Sequence, residues 1–169
     1  MIRAFAAIAL PEPVRFDLMI VQSGLPVPRA VPPESLHLTL VFLGELPEPV
    51  VADADAAFTQ VRAGGFTLEP RGIGIFGGAK PRLAYAGVAE SPALRHLQAK
   101  VETAARNAGV SIPARRFHPH VTLARLPERG VDRQRLEVFV ASRAGYSGPG
   151  FAVDDFRLSN PPSNPALLD

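Results

Sequence analysis

The chain has 169 residues, of which 47% are apolar and 20% are charged, and its formal net charge is +2. This length fits one compact domain with a sizeable core, and the apolar fraction excludes a disordered chain. The absence of cysteine excludes a disulfide framework, a thiolate nucleophile and a cysteine-based zinc site. We therefore expect a single domain over residues 1–169 that is monomeric and cytoplasmic.

The first half of the chain alternates between strand and helix patterns. An apolar stretch at 3–10 predicts a buried strand, because it is too short for a signal peptide or a membrane span. Proline and glutamate then open a helix at about 11–22, since proline is tolerated in the first turn. The prolines within 24–34 predict an extended connection. A strand at about 36–43 and a helix at about 47–62 should follow.

The second half of the chain repeats this order. Strand patterns at 66–76 and 82–88 predict a hairpin around a glycine-rich turn. The expected elements after it are a helix at 90–108, a strand at 117–126, a short helix at 132–140 and a last strand at 151–158. The repeated order predicts an α+β fold with two pseudo-symmetric lobes of antiparallel sheet, helices on the outer faces and a central cleft.

A short motif, His-x-Thr-x, occurs once in each half. It is found as Ser-Leu-His-Leu-Thr-Leu in the first half and as Phe-His-Pro-His-Val-Thr-Leu in the second. Alternate side chains of a strand leave on the same face, so His37 accompanies Thr39, and His120 accompanies Thr122. The two histidines are 83 positions apart, about half of the chain. If the two lobes face each other, the four side chains share one cleft.

Two imidazoles that face each other across a cleft are suited to displacement at phosphorus. One can take a proton from the attacking group while the other gives a proton to the leaving oxygen, so neither a metal, a cofactor nor a nucleophilic side chain is needed. Threonine hydroxyls can donate to the phosphate oxygens, with help from a cation such as Arg125. A 2',3'-cyclic nucleotide phosphate, whose ring is already strained, is the substrate that this chemistry favours.

The distribution of charge supports an anionic ligand in the second half. Residues 111–143 contain seven arginines and three acidic residues. Such an excess indicates an anion-binding surface. A solvated, arginine-rich surface is the alternative interpretation for each of these residues except Arg125, which follows the second motif closely.

Other residues have less distinctive positions. His118 is expected to leave the opposite face of the strand from the motif, in a structural or supporting role, and His96 is expected on the surface of a helix. Phe42, Phe117 and Tyr85 can stack on a base, but we favour core packing as the interpretation for each of the three.

Three blocks of sequence carry a family resemblance. They are Arg-Ala-Phe-Ala-Ala-Ile at 3–8, Leu-His-Leu-Thr-Leu followed by Phe-Leu-Gly-Glu at 36–45, and Phe-His-Pro-His-Val-Thr-Leu-Ala-Arg at 117–125. In this order they resemble the two-histidine (2H) phosphoesterase superfamily and, within it, the RNA 2',3'-cyclic phosphodiesterases, which are also called 2'-5' RNA ligases. The resemblance covers residues 1 to about 158, and it implies a bilobal α+β fold with no required metal.

The resemblance also implies the roles of individual residues. His37 would be the general acid that protonates the departing 3' oxygen, and His120 the general base that activates water, which leaves a 2'-phosphate end. Thr39 and Thr122 would bind the phosphate, and Arg125 would be a supporting cation. The implied partners are RNA ends or cyclic nucleotides, and the reverse chemistry would join RNA ends by a 2'-5' linkage.

The C-terminal sequence departs from the family pattern. Members of the family continue past the last strand with a serine, a glycine and a closing strand that contains tyrosine. Residues 159–169 show no such strand. We expect this tail to be truncated or rebuilt relative to the family.

Two other classes of function are compatible with the motifs. A metal-dependent phosphoesterase could use His37, His118 and His120 as ligands, although no acidic ligand is near either motif. A non-catalytic protein could use the same cleft to bind RNA ends. Full activity in a chelator would exclude the first, and tight binding without turnover would favour the second.

Overall fold

The computed structural model describes residues 1–160, so the atypical tail beyond Asn160 lies outside the described part of the chain. Within residues 1–160 the strands are β1 (Ile2–Ala9), β2 (His37–Leu46), β3 (Phe66–Leu68), β4 (Pro70–Phe76), β5 (Leu83–Val88), β6 (His120–Arg125), β7 (Phe151–Val153) and β8 (Arg157–Ser159). The helices are α1 (Glu12–Ser23), α2 (Glu48–Phe58), α3 (Pro92–Asn107) and α4 (Arg133–Ser142), with a short 3₁₀ turn at Pro33–Ser35. Each half therefore has the order strand, helix, strand, helix, strand, strand.

Six strands form one antiparallel sheet in the order β4-β5-β6-β2-β1-β8, and β3 pairs with β7 in a separate two-stranded sheet. At the centre of the large sheet β2 meets β6, where Leu38 lies opposite Val121. Each of these residues follows its motif histidine by one position, so this pair marks a pseudo-two-fold axis that relates β2 to β6, β1 to β5 and β8 to β4. The predicted α+β fold with antiparallel sheets is confirmed, and the two halves share one large sheet because the motif strands pair with each other.

The helices begin where the sequence predicts them. Both α1 and α2 carry proline in the first turn, where the missing N–H has no intrahelical partner to lose. Ser91 and Asp132 cap α3 and α4, because their side chains accept hydrogen bonds from backbone N–H groups three residues on. Among the described residues, none of the helices has the length and hydropathy that a membrane crossing requires.

Each half of the chain covers the motif strand of the other half with a helix. Helix α1 contacts β6, and α3 contacts β2. The side chain of Gln22 on α1 donates hydrogen bonds to the backbone carbonyls of Val31 and Leu123, both at 2.9 Å. Leu38 and Val121 are buried in a single apolar cluster to which both halves contribute. The helices therefore pack on the Leu38 face of the sheet, and the motif histidines occupy the opposite face.

Several predicted boundaries change for identifiable reasons. Strand β6 begins at His120 rather than at 117, because Pro119 has no N–H to donate to a ladder. Strand β2 continues past Gly44, which adopts a φ of 77° that glycine tolerates. The strands predicted at 66–76 and 151–158 are each divided between the two sheets. Helix α2 ends at Phe58, four residues before its predicted end.

Candidate active site

The two motifs meet on one face at the centre of the large sheet. In an antiparallel ladder the positions that flank a pair face each other, so the pairing of Leu38 with Val121 sets His37 opposite Thr122 and Thr39 opposite His120. The two histidines are diagonal neighbours, which in a regular ladder are roughly 7–8 Å apart. One phosphate fits such a gap, so the structure brings the four predicted motif side chains together.

Each imidazole is oriented by the backbone carbonyl two residues before it. Nδ1 of His37 is 2.6 Å from the carbonyl oxygen of Ser35, and Nδ1 of His120 is 2.7 Å from that of His118. A carbonyl oxygen only accepts, so in both rings Nδ1 carries a proton and donates it. Nε2 is then the ring nitrogen that can exchange protons with a ligand in the cleft.

The two motif threonines are buried but are engaged differently. Thr39 is 7% exposed, and its Oγ1 lies 3.0 Å from Nε2 of His37. Thr122 is 4% exposed, and its Oγ1 has no hydrogen-bond partner among the residues that the structure describes. A buried hydroxyl without a partner is costly, and in an open cleft it indicates the position of a polar ligand.

A β-bulge in each motif strand changes which face the following residues use. Strand β6 shifts its register against β5 by one residue just after Thr122, and β2 shifts against β1 just after Thr39. A bulge inserts one unpaired residue and redirects the side chains beyond it. As a result Arg125 and Phe42, three residues after their threonines, return to the cleft face. The Nε and Nη2 atoms of Arg125 are buried there.

His120 lies in a cluster of rings from three other residues. Phe76 presents its ring edge-on at 4.7 Å from the centroid of His118 and 5.0 Å from that of His120, and the two histidine centroids are 6.1 Å apart. Tyr85 stacks on Phe76 at 4.2 Å, and burial raises the pKa of its hydroxyl. The prediction that His118 leaves the opposite face is wrong, because residues two apart in an extended chain share a face.

His37 has a different aromatic neighbour. The ring of Phe5 stacks on it at a centroid distance of 4.7 Å and an interplanar angle of 26°. The interpretation of Phe42 as a core residue is wrong, because its side chain is 43% exposed, whereas Phe117 packs half-buried against the core. His96 is exposed on α3, as predicted.

Two cavities flank the motif face. The first, of about 300 Å³, adjoins His37, and we call it the His37-side pocket; its lining includes Phe5, Arg15, Glu34, Arg157 and Ser159. The second, of about 450 Å³, adjoins His120 and Thr39, and we call it the His120-side pocket; its lining includes Phe42, Gln98, Glu102, Arg115, Arg116 and Phe117. Both pockets offer aromatic and cationic side chains next to a motif histidine.

The arrangement gives no support to a metal site on His37, His118 and His120. Between residues 1 and 160 there is no group of three histidine or acidic side chains placed to hold a metal ion. His118 and His120 face each other within the ring cluster, whereas His37 stacks on Phe5 in the other half. The structure therefore does not place these three imidazoles as one set of metal ligands.

The α+β sheet and its two facing His-x-Thr strands define the two-histidine class of phosphoesterase folds. A sequence model of the 2'-5' RNA ligase superfamily matches residues 22–160, and the chain belongs to this family.

Similar curated proteins carry the name RNA 2',3'-cyclic phosphodiesterase. The one from Aeropyrum pernix is 38% identical over 109 residues, which are 63% of this chain and 61% of the relative. The one from Geobacillus stearothermophilus is 39% identical over 61% of this chain but only 34% of the relative. The match thus spans less than two thirds of the length of these two relatives. The one from Archaeoglobus fulgidus is 31% identical over 92% of this chain and 89% of the relative.

Solved structures have the same fold. The crystal structure of TT0787 of Thermus thermophilus aligns with a TM-score of 0.75 and 30% identity over 92% of this chain and 86% of that chain. The crystal structure of E. coli LigT complexed with 3'-AMP aligns with a TM-score of 0.74 and 27% identity over 93% of this chain and 86% of that chain. These alignments cover more than nine tenths of the chain and agree with the α+β architecture.

Proposed function

We propose that the protein hydrolyses RNA 2',3'-cyclic phosphate ends, or small 2',3'-cyclic nucleotides, to 2'-phosphates, with His37 as general acid and His120 as general base. The observation that carries this proposal is the pair of imidazoles on one sheet face, each with its Nδ1 held by a backbone carbonyl. The names of the relatives and the 3'-AMP bound to E. coli LigT support the substrate class.

In the proposed reaction His120 acts on water. Its neutral Nε2 takes a proton from water as the water oxygen attacks phosphorus. The protonated Nε2 of His37 gives its proton to the 3' oxygen as the bond between phosphorus and that oxygen breaks. The product carries a 2'-phosphate and a 3'-hydroxyl, and proton exchange with solvent restores both rings. No metal or cofactor takes part in these steps.

The threonines and Arg125 complete the proposed phosphate site. The Oγ1 of Thr122, which has no partner within the described residues, donates to a non-bridging phosphate oxygen. The Oγ1 of Thr39 lies 3.0 Å from Nε2 of His37, and its hydroxyl can donate a hydrogen bond to a second non-bridging phosphate oxygen. Arg125 balances the charge that develops on the phosphate in the transition state.

We further propose that the whole chain acts as one catalytic unit, because each half supplies one histidine and one threonine. Phe42 and Phe117 offer rings on which a nucleobase can stack beside the phosphate site. The cytoplasmic location and the monomeric state stay predictions from the sequence.

A single assay tests this proposal. An oligonucleotide that ends in a 2',3'-cyclic phosphate is incubated with the protein in EDTA, and the product is compared with authentic 2'- and 3'-phosphate ends. We expect a 2'-phosphate and the same turnover with and without the chelator. His96→Ala is the matched control, because His96 is exposed on α3 and should leave turnover unchanged.

Three results would contradict the proposal. A 3'-phosphate product would reverse the leaving group, and turnover that EDTA abolishes would favour a metal-dependent phosphoesterase. Tight binding of the RNA end without turnover would favour a non-catalytic binding protein.

A further inference from the structure

The His37-side pocket contains two arginines that the proposed reaction does not use. Arg15 on α1 and Arg157 on β8 both line it. Within residues 1–160, none of the ion pairs includes either guanidinium. Glu34 is the one acidic side chain among the described residues of the lining, so the pocket has a net positive charge even when His37 is neutral. An excess of cations in a cleft beside the phosphate site favours an anionic ligand.

The register of the large sheet places Arg157 in line with a motif residue. Ala7 of β1 pairs with Thr39 of β2 on one side and with Arg157 of β8 on the other. Adjacent strands are roughly 5 Å apart, so the backbone of Arg157 lies roughly 10 Å from that of Thr39. The residue between them is alanine, whose methyl group leaves the space above the sheet open. The side chain of Arg157 can therefore extend towards the phosphate site without crossing a larger side chain.

The proposed reaction determines which part of the substrate lies on this side of the cleft. His37 protonates the 3' oxygen, so the 3' carbon of the terminal ribose lies beside His37. That carbon is bonded to the 4' carbon, which carries the 5' arm and, in an RNA strand, the phosphodiester to the preceding nucleotide. The 2' carbon, whose oxygen keeps the phosphate, is bonded instead to the 1' carbon, which carries the base. The 5' arm is therefore attached on the side of the ribose that faces His37.

On the basis of the proposed function, we propose that the His37-side pocket binds the phosphodiester that precedes the terminal nucleotide, with Arg15 and Arg157 as its ligands. Guanidinium groups donate charge-assisted hydrogen bonds to phosphate oxygens. The hydroxyl of Ser159 lines the same pocket and can donate a further hydrogen bond. The preferred substrate is then the end of an RNA strand, because a free cyclic nucleotide with a 5'-hydroxyl has no phosphate at this position.

The arginines of the His120-side pocket have a different relation to the substrate. Arg115 and Arg116 line the cavity that adjoins His120, the residue that activates water. In-line displacement puts the attacking oxygen opposite the leaving oxygen, so the strand that carries the leaving oxygen extends away from these two residues. The two arginine pairs therefore form a matched comparison, since each pair contributes the same charge to a pocket beside one motif histidine.

Substrates that differ only at the 5' position test the assignment. Three are compared by kcat/KM: adenosine 2',3'-cyclic phosphate with a free 5'-hydroxyl, the same compound with a 5'-monophosphate, and a dinucleotide of two adenosines that ends in a 2',3'-cyclic phosphate. We expect the parent to favour the second and third substrates over the first by about tenfold or more, as hydrogen bonds between charged groups predict. Arg15→Ala/Arg157→Ala should reduce both preferences to about twofold or less, because it removes these bonds.

Three further double variants separate this role from a general effect of charge. Arg115→Ala/Arg116→Ala removes the same charge from the His120-side pocket, and Arg129→Ala/Arg135→Ala removes it from exposed positions outside the two pockets. Both should retain the preference of the parent. Arg15→Lys/Arg157→Lys should retain part of it, because lysine keeps the charge but not the planar fork of the guanidinium.

Equal kcat/KM values of the parent for all three substrates would overturn the assignment and leave the proposed function intact. A preference that survives in Arg15→Ala/Arg157→Ala would also overturn it, and one that is lost only in Arg115→Ala/Arg116→Ala would place the strand beside His120. A preference confined to the dinucleotide would assign the contact to the preceding nucleoside, and one confined to the monophosphate would assign the pocket to a free nucleotide; either would overturn the assignment. Absence of hydrolysis of all three substrates by the parent would refute the proposed function as well.

Discussion

The first half of the molecule, from β1 to β4, and the second half, from β5 to β8, place their motifs on equivalent backbone but surround them differently. In the first half, the ring of His37 stacks on Phe5 and its Nε2 contacts Thr39. In the second half, His120 lies among aromatic rings and a second imidazole, and the Oγ1 of Thr122 meets no other described residue at hydrogen-bond distance.

The comparison shows that the backbone around the two histidines is symmetric, whereas the side chains that surround them are not. The backbone repeats, so both imidazoles donate the same hydrogen bond from Nδ1 to a backbone carbonyl and occupy the same position beside the central strand pair. The side chains around them do not repeat. Acid and base catalysis need two similar groups in opposite protonation states, and different surroundings are the means by which a protein separates them.

Removal of either imidazole should have the largest effect. We expect His37→Ala and His120→Ala each to lower turnover of a 2',3'-cyclic phosphate at least about a hundredfold, the usual worth of a positioned acid or base. The residual rates should also separate the roles. His37→Ala should lose the fall in rate at high pH, and His120→Ala the fall at low pH. Two variants that lose the same limb of the pH-rate profile would contradict distinct roles for the two halves.

Replacement of each motif threonine by valine should show whether the two threonines have different roles. Valine has nearly the same shape as threonine but no hydroxyl. We expect Thr122→Val to lower kcat/KM by about tenfold to a hundredfold through the loss of a donor to the phosphate. Thr39→Val should also lower kcat and change the alkaline limb of the pH profile, because Thr39 contacts Nε2 of His37. Identical profiles for the two variants would show that the contact with His37 has no catalytic consequence.

The ring neighbours should have smaller effects, which differ between the halves. Phe5→Ala removes the ring that stacks on His37, and we expect about a tenfold loss of kcat as the imidazole becomes less well oriented. His118→Ala keeps the backbone carbonyl that orients His120, so about a threefold loss is expected. Steady-state kinetics at the pH optimum would measure both. A larger loss for His118→Ala than for Phe5→Ala would assign His118 a direct part in proton transfer.

The smallest effect concerns the contact that joins the halves outside the cleft. The hydroxyl of Tyr146 donates to a carboxylate oxygen of Asp17 at 2.5 Å, across 129 positions of sequence. Burial, together with this hydrogen bond, raises the pKa of Tyr146. We expect Tyr146→Phe to lower the free energy of unfolding near neutral pH by about 1 kcal/mol, as urea denaturation would measure.

The pH dependence of this effect has a defined sign. Because folding raises the pKa of Tyr146, its contribution to stability is present below pH 10, the unperturbed value, and is lost as the unfolded chain ionises above it. The difference between the parent and Tyr146→Phe should therefore narrow above pH 10. Tyr85→Phe is the control, since the Tyr85 hydroxyl lies over Gly74 rather than beside a carboxylate, and it should change stability less at neutral pH. A difference that widens with pH would contradict this account.

The element order and the shared face of the motif residues could be predicted because they depend on local periodicity. Strand geometry places the side chains of His37 and Thr39 on the same face of the strand, independently of the rest of the fold. Prolines in the first turn likewise mark where α1 and α2 begin. Because residues two apart in an extended chain share a face, the spacing of His118 and His120 in the sequence already places their side chains together.

The orientation of Arg125 and the exposure of Phe42 could not be predicted in this way. Phe42 and Arg125 each lie three residues after a motif threonine, so strict alternation along the strand would point their side chains towards the helices. The register shifts of β2 against β1 and of β6 against β5 turn them to the cleft face instead. The position of a bulge depends on how two strands distant in sequence pair with each other. The division of the strands predicted at 66–76 and 151–158 between two sheets has the same origin.

The sequence alone determined the α+β class, the two motifs and the family resemblance, because alternation, capping residues and motif identity are local properties of the chain. Only the tertiary structure decided that β2 pairs with β6 at Leu38 and Val121 and that the two histidines have different neighbours. These features depend on contacts between residues far apart in sequence, and local patterns do not encode such contacts.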